Sequence, residues 1–124
     1  MAERSLKKNC GDLRVALVRP SIIVSSYDEP CRGWTDTLAA GGGLTFAIQM
    51  GLIHRVKTTF EQIIDLIPCD FVSNMVIANT VYTAREKQPT LNIVHASTSS
   101  KNPFTIFGFR KYILQYGRYH EYLR

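Results

Sequence analysis

The residues best suited to chemistry stand close together, at positions 21–34. Hydroxyls, carboxylates, a thiol and two aromatic rings follow one another there as SIIVSSYDEPCRGW. The stretch comes directly after the apolar run 15–18 and the dipeptide Arg19-Pro20. A short continuous apolar run is typical of a strand buried on both faces, and the proline should end its pairing. Because ligands of open α/β sheets bind at the carboxyl ends of the strands, the sequence predicts a long functional loop here.

Nucleophilic and metal chemistry are disfavoured by the spacing of the remaining candidates. Cys31 would need a neighbouring base to act as a nucleophile, and the sequence offers Arg32 beside it but no triad. The three cysteines and three histidines are scattered, without the close ligand pairs of a zinc site. We therefore predict no bound metal, and we interpret the thiols as reduced cysteines of an intracellular protein.

Two further motifs receive structural interpretations. The glycines at 41–43 are not followed by Lys-Ser or Lys-Thr, as a phosphate loop would require, and no GxGxxG is present. They are predicted to form a flexible turn before a helix over 45–50. Asp70 is predicted to accept free backbone N–H groups at the start of a helix rather than to act as a catalytic acid.

Helices and strands are predicted to alternate along the chain. The predicted helices cover 2–10, 45–50 and a segment from Asp70 to 85–88, and a fourth begins at Asn102-Pro103. The predicted strands cover 15–18, 52–56 and 91–95, with a surface loop at 58–62 and an extended segment at 63–68. Such alternation indicates an α/β fold with a parallel sheet. A sheet of so few strands has open edges, and such edges usually pair with further strands. We therefore interpret residues 1–124 as a single partial domain. Residues 101–124 could begin a following helical region.

Two helices are predicted to contribute to the core. Leu6 should face the interior from the first helix, which should end at Gly11. The helix after Asp70 should be substantially buried, because apolar residues recur along one of its faces at helical spacing. That face consists of Phe71, Met75, Ala78 and Tyr82.

Composition sets the class of protein but does not identify its partner. The chain has 124 residues, 45% of them hydrophobic and 20% charged, as in one soluble globular domain. Its most apolar stretch, 38–53, includes three consecutive glycines and falls short of the ~20 apolar residues of a membrane-spanning helix. Residues 101–124 carry five basic residues and one acidic residue. A solvated helix face, a nucleic-acid surface and a site for an anionic ligand all stay open as interpretations.

Several segments, in order, resemble one enzyme family. Arg19-Pro20-Ser21-Ile22 is followed by Glu29-Pro30, Gly33-Trp34 and Asp36, and then by the glycine run that ends at Leu44. Asp65-Leu66-Ile67-Pro68 with Asp70, Val72 and Asn74, and later Asn102-Pro103 with Thr105, continue the series. These motifs span nearly the whole chain and resemble fatty acyl-CoA reductases, a branch of the extended short-chain dehydrogenase/reductases.

The resemblance implies an incomplete Rossmann-like α/β fold. It would be the C-terminal part of the NAD(P)-binding domain of an enzyme that reduces long-chain acyl-CoA to fatty alcohol with NADPH. The resemblance implies that the nicotinamide is bordered by Pro20, Ser21, Ile22 and Ile23. It implies substrate contacts from Ser25, Glu29, Pro30, Gly33 and Trp34. Cys31 and Arg32 depart from the family, in which a proline-like or apolar residue is more usual.

The catalytic pair of this family is absent from the chain. No tyrosine is followed by a lysine four residues later, and the resemblance places that Tyr-x-x-x-Lys just before Met1. We therefore expect this chain to be inactive alone. The alternative is a non-enzymatic module that binds lipid or completes its sheet with a longer reductase subunit. A basic nucleic-acid-binding protein is a third and weaker hypothesis, and we expect no nucleic acid as a partner. By resemblance the enzyme acts at peroxisomal or endoplasmic-reticulum membranes through segments not encoded here, whereas a lone fragment would be cytoplasmic.

Overall fold

The chain forms a mixed α/β fold built on short parallel strand pairs. The computed structural model describes residues 2–86 and 91–119. The predicted helix end at 87–88, and residues 120–124 of the predicted following region, lie outside this part. In chain order the elements are α1 (Ala2–Asn9), β1 (Val15–Pro20), β2 (Ile22–Val24), α2 (Ala40–Gln49), β3 (Ile63–Ile64), β4 (Leu66–Pro68), α3 (Cys69–Arg85), β5 (Leu91–Ala96), β6 (Phe104–Thr105) and α4 (Ile106–Tyr119).

The central pair consists of β1 and β5, which run parallel from Val15 opposite Leu91 to Pro20 opposite Ala96. Both strands were predicted from their apolar residues, and both are confirmed. The predicted burial on both faces is wrong, because no residue of β1 is fully buried and Ile93 of β5 is 38% exposed. The prediction that pairing stops at Arg19-Pro20 is wrong, because β1 continues through Pro20. Proline is tolerated at the end of a strand, where few ladder bonds remain to be made. The next backbone N–H, that of Ser21, donates to the carbonyl of Ala96 at 2.9 Å and closes the ladder.

Helix α3 covers this pair with a polar face. Its buried residues are Asp70, Asn79 and Thr83. The predicted apolar core face is wrong, because Phe71 is 46% and Tyr82 61% exposed. Amide and hydroxyl groups that are buried without hydrogen-bond partners lower the stability of a protein. The two central strands supply such partners to Asn79 and Thr83. The helix therefore turns its polar side inward.

A polar seam joins α3 to both central strands. The Asn79 side-chain amide donates to the backbone carbonyl of Leu17 in β1 at 3.5 Å. From β5, Asn92 donates to the Asn79 side-chain oxygen at 2.8 Å and to the Thr83 hydroxyl at 3.3 Å. At the far end, Arg14 donates to backbone carbonyls that the helix leaves free, that of Ala84 among them at 2.6 Å. These contacts fix the helix at a defined rotation and height on the sheet.

Two smaller strand pairs flank the central one. The predicted loop at 21–24 is wrong, because β2 forms there and pairs in parallel with β4. The extended segment at 63–68 is confirmed as β3 and β4, and β3 pairs antiparallel with β6. The predicted strand at 52–56 is wrong, since this segment is irregular. Leu52 and Val56 are 72% and 56% exposed there, so neither side chain gains the burial that would hold it against a neighbouring strand.

Helix α2 begins earlier than predicted, at Ala40, so that the three glycines lie inside the helix and not in a turn. The reason is steric. A Cβ at Gly41 would come within 3.0 Å of the Val24 side chain in β2, and a Cβ at Gly43 would collide with the backbone carbonyl of Leu38. The glycines let the helix start close to the strand and to the segment that enters it.

Helix α4 begins at Ile106 rather than at Asn102-Pro103. Thr105, and not Asn102, is the N-cap residue of this helix. Its hydroxyl accepts the backbone N–H of Gly108 at 3.3 Å, which is the hydrogen bond typical of an N-cap. The preceding residues are held in β6 by their pairing with β3. Within the part of the chain that the structure describes, no helix combines the length and apolarity needed to cross a bilayer.

Helix α1 is confirmed and is followed by Gly11, whose φ of 52° suits a helix terminus. Its predicted core contact is wrong, because Leu6 is 38% exposed and the helix has no buried residue. Its contact with the sheet is polar: Glu3 forms an ion pair with Arg19 of β1. Hydrogen bonding to Arg19 lowers the pKa of Glu3.

The glycines of α2 give a test of this packing. Gly43→Ala should lower the free energy of unfolding by about 1–3 kcal/mol, because the new Cβ collides with backbone that cannot yield. Gly42→Ala is the matched control, since its Cβ would lie 3.4 Å from the Thr37 carbonyl oxygen and should be neutral or stabilise by about 0.5–1 kcal/mol. Chemical denaturation of the two variants measures both values. Equal effects at the two positions would contradict the packing described.

Candidate functional site

The candidate site lies where the parallel strands end. Because β1 and β5 are parallel and in register, their carboxyl ends, Pro20 and Ala96, meet at the same edge. The chain leaves β1 through Ser21 into β2 and the long segment 25–39, and it leaves β5 into 97–103. Ligands of open α/β sheets bind at such an edge. The two segments that depart from it therefore form the candidate site.

Asp65 ties these two departing segments together. Its Oδ1 accepts the Ser21 hydroxyl at 3.2 Å and the Thr98 backbone N–H at 3.1 Å, and its Oδ2 accepts the Ser99 hydroxyl at 2.9 Å. The Thr98 hydroxyl in turn donates to the Leu66 carbonyl at 2.8 Å. One carboxylate thus fixes the exit of β1 relative to the exit of β5.

Asp70 holds the long segment after β2. Its Oδ2 accepts the successive backbone N–H groups of Tyr27, Asp28 and Glu29 at 3.1, 2.9 and 3.2 Å. Its Oδ1 accepts the N–H of Phe71 in its own helix at 3.1 Å. The predicted role at a helix start is confirmed, but most of the N–H groups belong to another segment. Asp70 is only 8% exposed.

A buried serine closes the same loop from inside. Ser26 is 4% exposed, and its hydroxyl donates to the Cys31 carbonyl and accepts the Trp34 N–H at 3.2 Å. The Ser26 backbone N–H donates to the Trp34 carbonyl, and the Ser26 carbonyl accepts the N–H of Gly33, each at 3.0 Å. Gly33 has a φ of 79°, a left-handed conformation that glycine adopts freely. We refer to residues 25–34, closed by Ser26 and held by Asp70, as the anchored loop.

The hydrogen bonds keep both carboxylates ionised. Burial raises the pKa of Asp70, but hydrogen bonds from four backbone N–H groups lower the pKa by more than burial raises it. These donors are Asp28, Tyr27, Glu29 and Phe71, and the pKa is about 2 instead of 3.8. Burial likewise raises the pKa of Asp65. The Thr98 N–H and the hydroxyls of Ser97, Ser99 and Ser21 outweigh this effect, and the pKa is about 2. Groups so stabilised as anions are suited to hold donors in place, not to deliver protons near neutral pH.

The structure places the predicted cofactor residues in one run across the β1–β2 junction. Pro20 ends β1, and Ile22 and Ile23 lie in β2 with 41% and 38% of their surface exposed. The Ser21 hydroxyl is engaged by Asp65. The run therefore offers exposed apolar surface, with its one hydroxyl directed at the protein. Contact with a nicotinamide stays a prediction.

The predicted substrate residues all belong to the anchored loop. Ser25 is half-buried at the end of β2, whereas Glu29, Pro30 and Gly33 are exposed. Trp34 exposes 42% of its surface beside the loop closure. The structure thus brings these five residues into one element, and their contact with a substrate stays a prediction.

Sequence reasoning assigned no role to Asp65, Ser26, Thr98 or Ser99. One signal was present: Asp65 and Asp70 bracket an extended segment of β-forming residues directly before a helix. Carboxylates at both ends of a short strand can reach the loops on either side. Apart from Phe71, their partners are 32 to 44 positions away, and no local pattern identifies them. Within the described residues no group of three His, Cys, Asp or Glu side chains could hold a metal ion.

The two low pKa values predict how acid unfolds the protein. A folded pKa below the unfolded value of 3.8 adds stability that is complete above about pH 5 and is lost as pH falls toward 2. Asp70→Asn should therefore lower the melting temperature at neutral pH, by about 5 °C or more, and flatten its decline between pH 5 and pH 2. Ser26→Ala is the control: it loosens the same loop without a titrating group, so its melting temperature should fall in parallel with the wild type. A wild-type slope in Asp70→Asn would contradict the role given to this carboxylate.

Comparison with known proteins relates this edge to an enzyme family. The model of an NAD-binding domain family, described as male sterility protein, matches residues 1–76. That span contains β1, the anchored loop and both carboxylates, and it ends within α3. An NAD-binding domain implies a nicotinamide cofactor.

Curated relatives give the same answer. Fatty acyl-CoA reductase 2 of Mus musculus is 36% identical over 103 residues, which are 83% of this chain and 20% of that protein. Fatty acyl-CoA reductase 1 of Homo sapiens is 33% identical over 104 residues, which are 84% of this chain and 20% of that protein. This chain thus spans about a fifth of the length of these relatives. Because the family model covers more than half of the chain, the chain belongs to the male sterility protein family of NAD-binding domains, and it is a relative of the fatty acyl-CoA reductases.

Proposed function

We propose that this chain is the C-terminal part of the NADPH-binding reductase domain of an alcohol-forming fatty acyl-CoA reductase. The complete domain would be Rossmann-like, of the extended short-chain dehydrogenase/reductase type. The complete enzyme would reduce a long-chain acyl-CoA thioester through an aldehyde to a primary alcohol, in two hydride transfers. Its proposed place is at peroxisomal or endoplasmic-reticulum membranes.

The observation that carries the proposal is the anchored loop at the carboxyl ends of parallel strands. Asp70 fixes three successive backbone N–H groups of this loop, and Asp65 fixes the exit of β1 beside it. Two neighbouring surfaces are therefore held at the edge where open α/β sheets bind their ligands. Oriented loops of this kind lower the entropic cost of bringing two reactants together.

The residues of the β1–β2 junction suit a nicotinamide. Pro20, Ile22 and Ile23 present a mainly apolar surface, against which a flat ring can lie while water is excluded. Because the Ser21 hydroxyl donates to Asp65, this serine would hold the wall in place and its hydroxyl would not be directed at the cofactor. When bound, the cofactor would supply the hydride.

The anchored loop suits an elongated thioester substrate. Trp34 offers a broad apolar ring for an acyl or pantetheine portion, and 42% of its surface is exposed. Glu29 and Pro30 stand on the same loop, and the Glu29 N–H is one of those held by Asp70. The loop would orient the thioester.

The proton donor would come from a part of the enzyme other than this chain. No tyrosine in it is followed by a lysine at the fourth position, and both carboxylates of the site have pKa values of about 2. We therefore propose that this chain alone does not turn over acyl-CoA. It would contribute the wall and the loop of a site whose proton donor lies elsewhere in the enzyme.

A second candidate is a non-enzymatic module that pairs with a longer reductase subunit. It is favoured by the outer face of α3, where Ile77 and Tyr82 expose 63% and 61% of their surface. Val81 adds 47% beside them. Apolar side chains grouped on one helix are typical of a surface that another part of a protein covers.

A chimera tests the proposed function. In fatty acyl-CoA reductase 2 of Mus musculus, the segment that aligns with 103 residues of this chain is replaced by those residues. We expect the chimera to form fatty alcohol from long-chain acyl-CoA with NADPH, measured by NADPH absorbance and mass spectrometry of the product. Without the host sequence, this chain should form none.

The controls separate the two candidates. A chimera with Trp34→Ala should keep its fold and lose affinity for acyl-CoA, with a rise in KM of roughly tenfold. A chimera that folds and binds NADPH but forms neither aldehyde nor alcohol would overturn the enzymatic proposal. Stable binding of this chain to the intact reductase, without a change in activity, would then support the non-enzymatic module.

A further inference from the structure

We propose that Asp65 and Asp70 are two separate positioning residues: Asp65 sets the cofactor wall and Asp70 sets the substrate loop. This inference rests on the proposed function, since it assigns each carboxylate to one of the two ligands. Neither residue would touch a reacting atom. Each would act through the segment that it holds.

The partners of Asp65 all belong to the cofactor side of the site. They are Ser21 at the exit of β1, and Ser97, Thr98 and Ser99 at the exit of β5. Among the described residues, none of its hydrogen bonds reaches the anchored loop. A change at Asp65 should therefore release the β1–β2 junction and leave the loop held.

The partners of Asp70 belong to the substrate side. Besides Phe71 in its own helix, it accepts N–H groups only from the anchored loop, those of Tyr27, Asp28 and Glu29, as far as the structure describes the chain. Glu29 is itself one of the predicted substrate residues. Release of Asp70 should therefore displace the loop and leave the cofactor wall in place.

A short rigid strand keeps the two anchors apart. Strand β4 lies between them and pairs residue by residue with β2, from Ile22 opposite Leu66 to Val24 opposite Pro68. Its central residue, Ile67, is 2% exposed. Three strand residues span about 10 Å, so the carboxylates stand at opposite ends of a fixed spacer. Sites whose anchors stand on such elements hold their geometry better than sites on loops alone.

The chemistry of the contacts allows the two roles to be tested by an isosteric change. Asp70 faces N–H donors alone, and an asparagine amide there would turn its own N–H₂ toward at least one of them. At Asp65, the hydroxyls of Ser21 and Ser99 can rotate to accept, but the Thr98 backbone N–H cannot. Both substitutions keep the size of the side chain while they weaken the anchor.

The experiment measures both Michaelis constants in the active chimera. Asp70→Asn should raise the KM for acyl-CoA roughly tenfold and leave the KM for NADPH within about twofold. Asp65→Asn should do the reverse. Asp12→Asn is the matched control, because it makes the same substitution at an exposed carboxylate outside both segments of the site. It should alter neither constant.

Amide hydrogen exchange on the full chain of 124 residues tests the division without any ligand. Asp70→Asn should speed exchange at Tyr27, Asp28 and Glu29 by at least about tenfold and leave Thr98 unchanged. Asp65→Asn should speed exchange at Thr98 and leave Tyr27, Asp28 and Glu29 unchanged. If either asparagine variant unfolds, Ser26→Ala and Ser99→Ala loosen the same two segments more gently and replace it.

The outcomes are distinguishable. An active wild-type chimera in which both asparagine variants raise both Michaelis constants, or neither, would overturn the division while the proposed function stands. Exchange that quickens in both segments in each variant would overturn it as well. An inactive but folded wild-type chimera would overturn the proposed function. A selective exchange pattern would then retain the two anchors as structural devices without their assignment to ligands.

Discussion

The backbone N–H groups of Tyr27, Asp28 and Glu29 lie in a loop outside the sheet, and they need hydrogen-bond acceptors from another part of the chain. The geometry of the candidate site depends on the acceptor that they find. That acceptor is the carboxylate of Asp70, from the first turn of α3. The same group accepts an N–H of its own helix, so the start of α3 and the loop are stabilised together. The loop pose is therefore a property of the helix–sheet contact and not of the loop sequence alone.

The polar seam under α3 makes this arrangement possible. A helix packed by apolar contacts alone can slide or rotate with small loss, whereas the bonds among Asn79, Thr83 and Asn92 define one position. Because Asp70 stands in the first turn of the same helix, the position that satisfies the seam also sets where its carboxylate meets the loop. The apolar residues of α3 are left on the outside as a consequence, and this explains the exposure of Phe71 and Tyr82.

Local sequence signals predicted those elements that local forces determine. The strands at the apolar runs of β1 and β5 and the presence of helices α1 and α3 were predicted correctly, and so was the place of Asp70 at a helix start. Strand β2 was missed because its partner β4 lies more than 40 positions away. The glycines of α2 were misread because the contact between Gly41 and Val24 is tertiary. The rotation of α3 could not be predicted either, since periodicity identifies an apolar face without showing which side of the helix meets buried amides. The candidate loop was located from the sequence, but its anchors were not.

The short strand β4 has a consequence for how chain length can vary in this fold. Both carboxylates and the strand between them occupy one hexapeptide, residues 65–70, so one inserted or deleted residue there would shift the side chains to opposite faces and separate both anchors from their partners. The exposed stretch 54–57 carries no such requirement and could lengthen or shorten at small cost. Variants of this domain should therefore differ in length between the elements while the hexapeptide keeps its spacing.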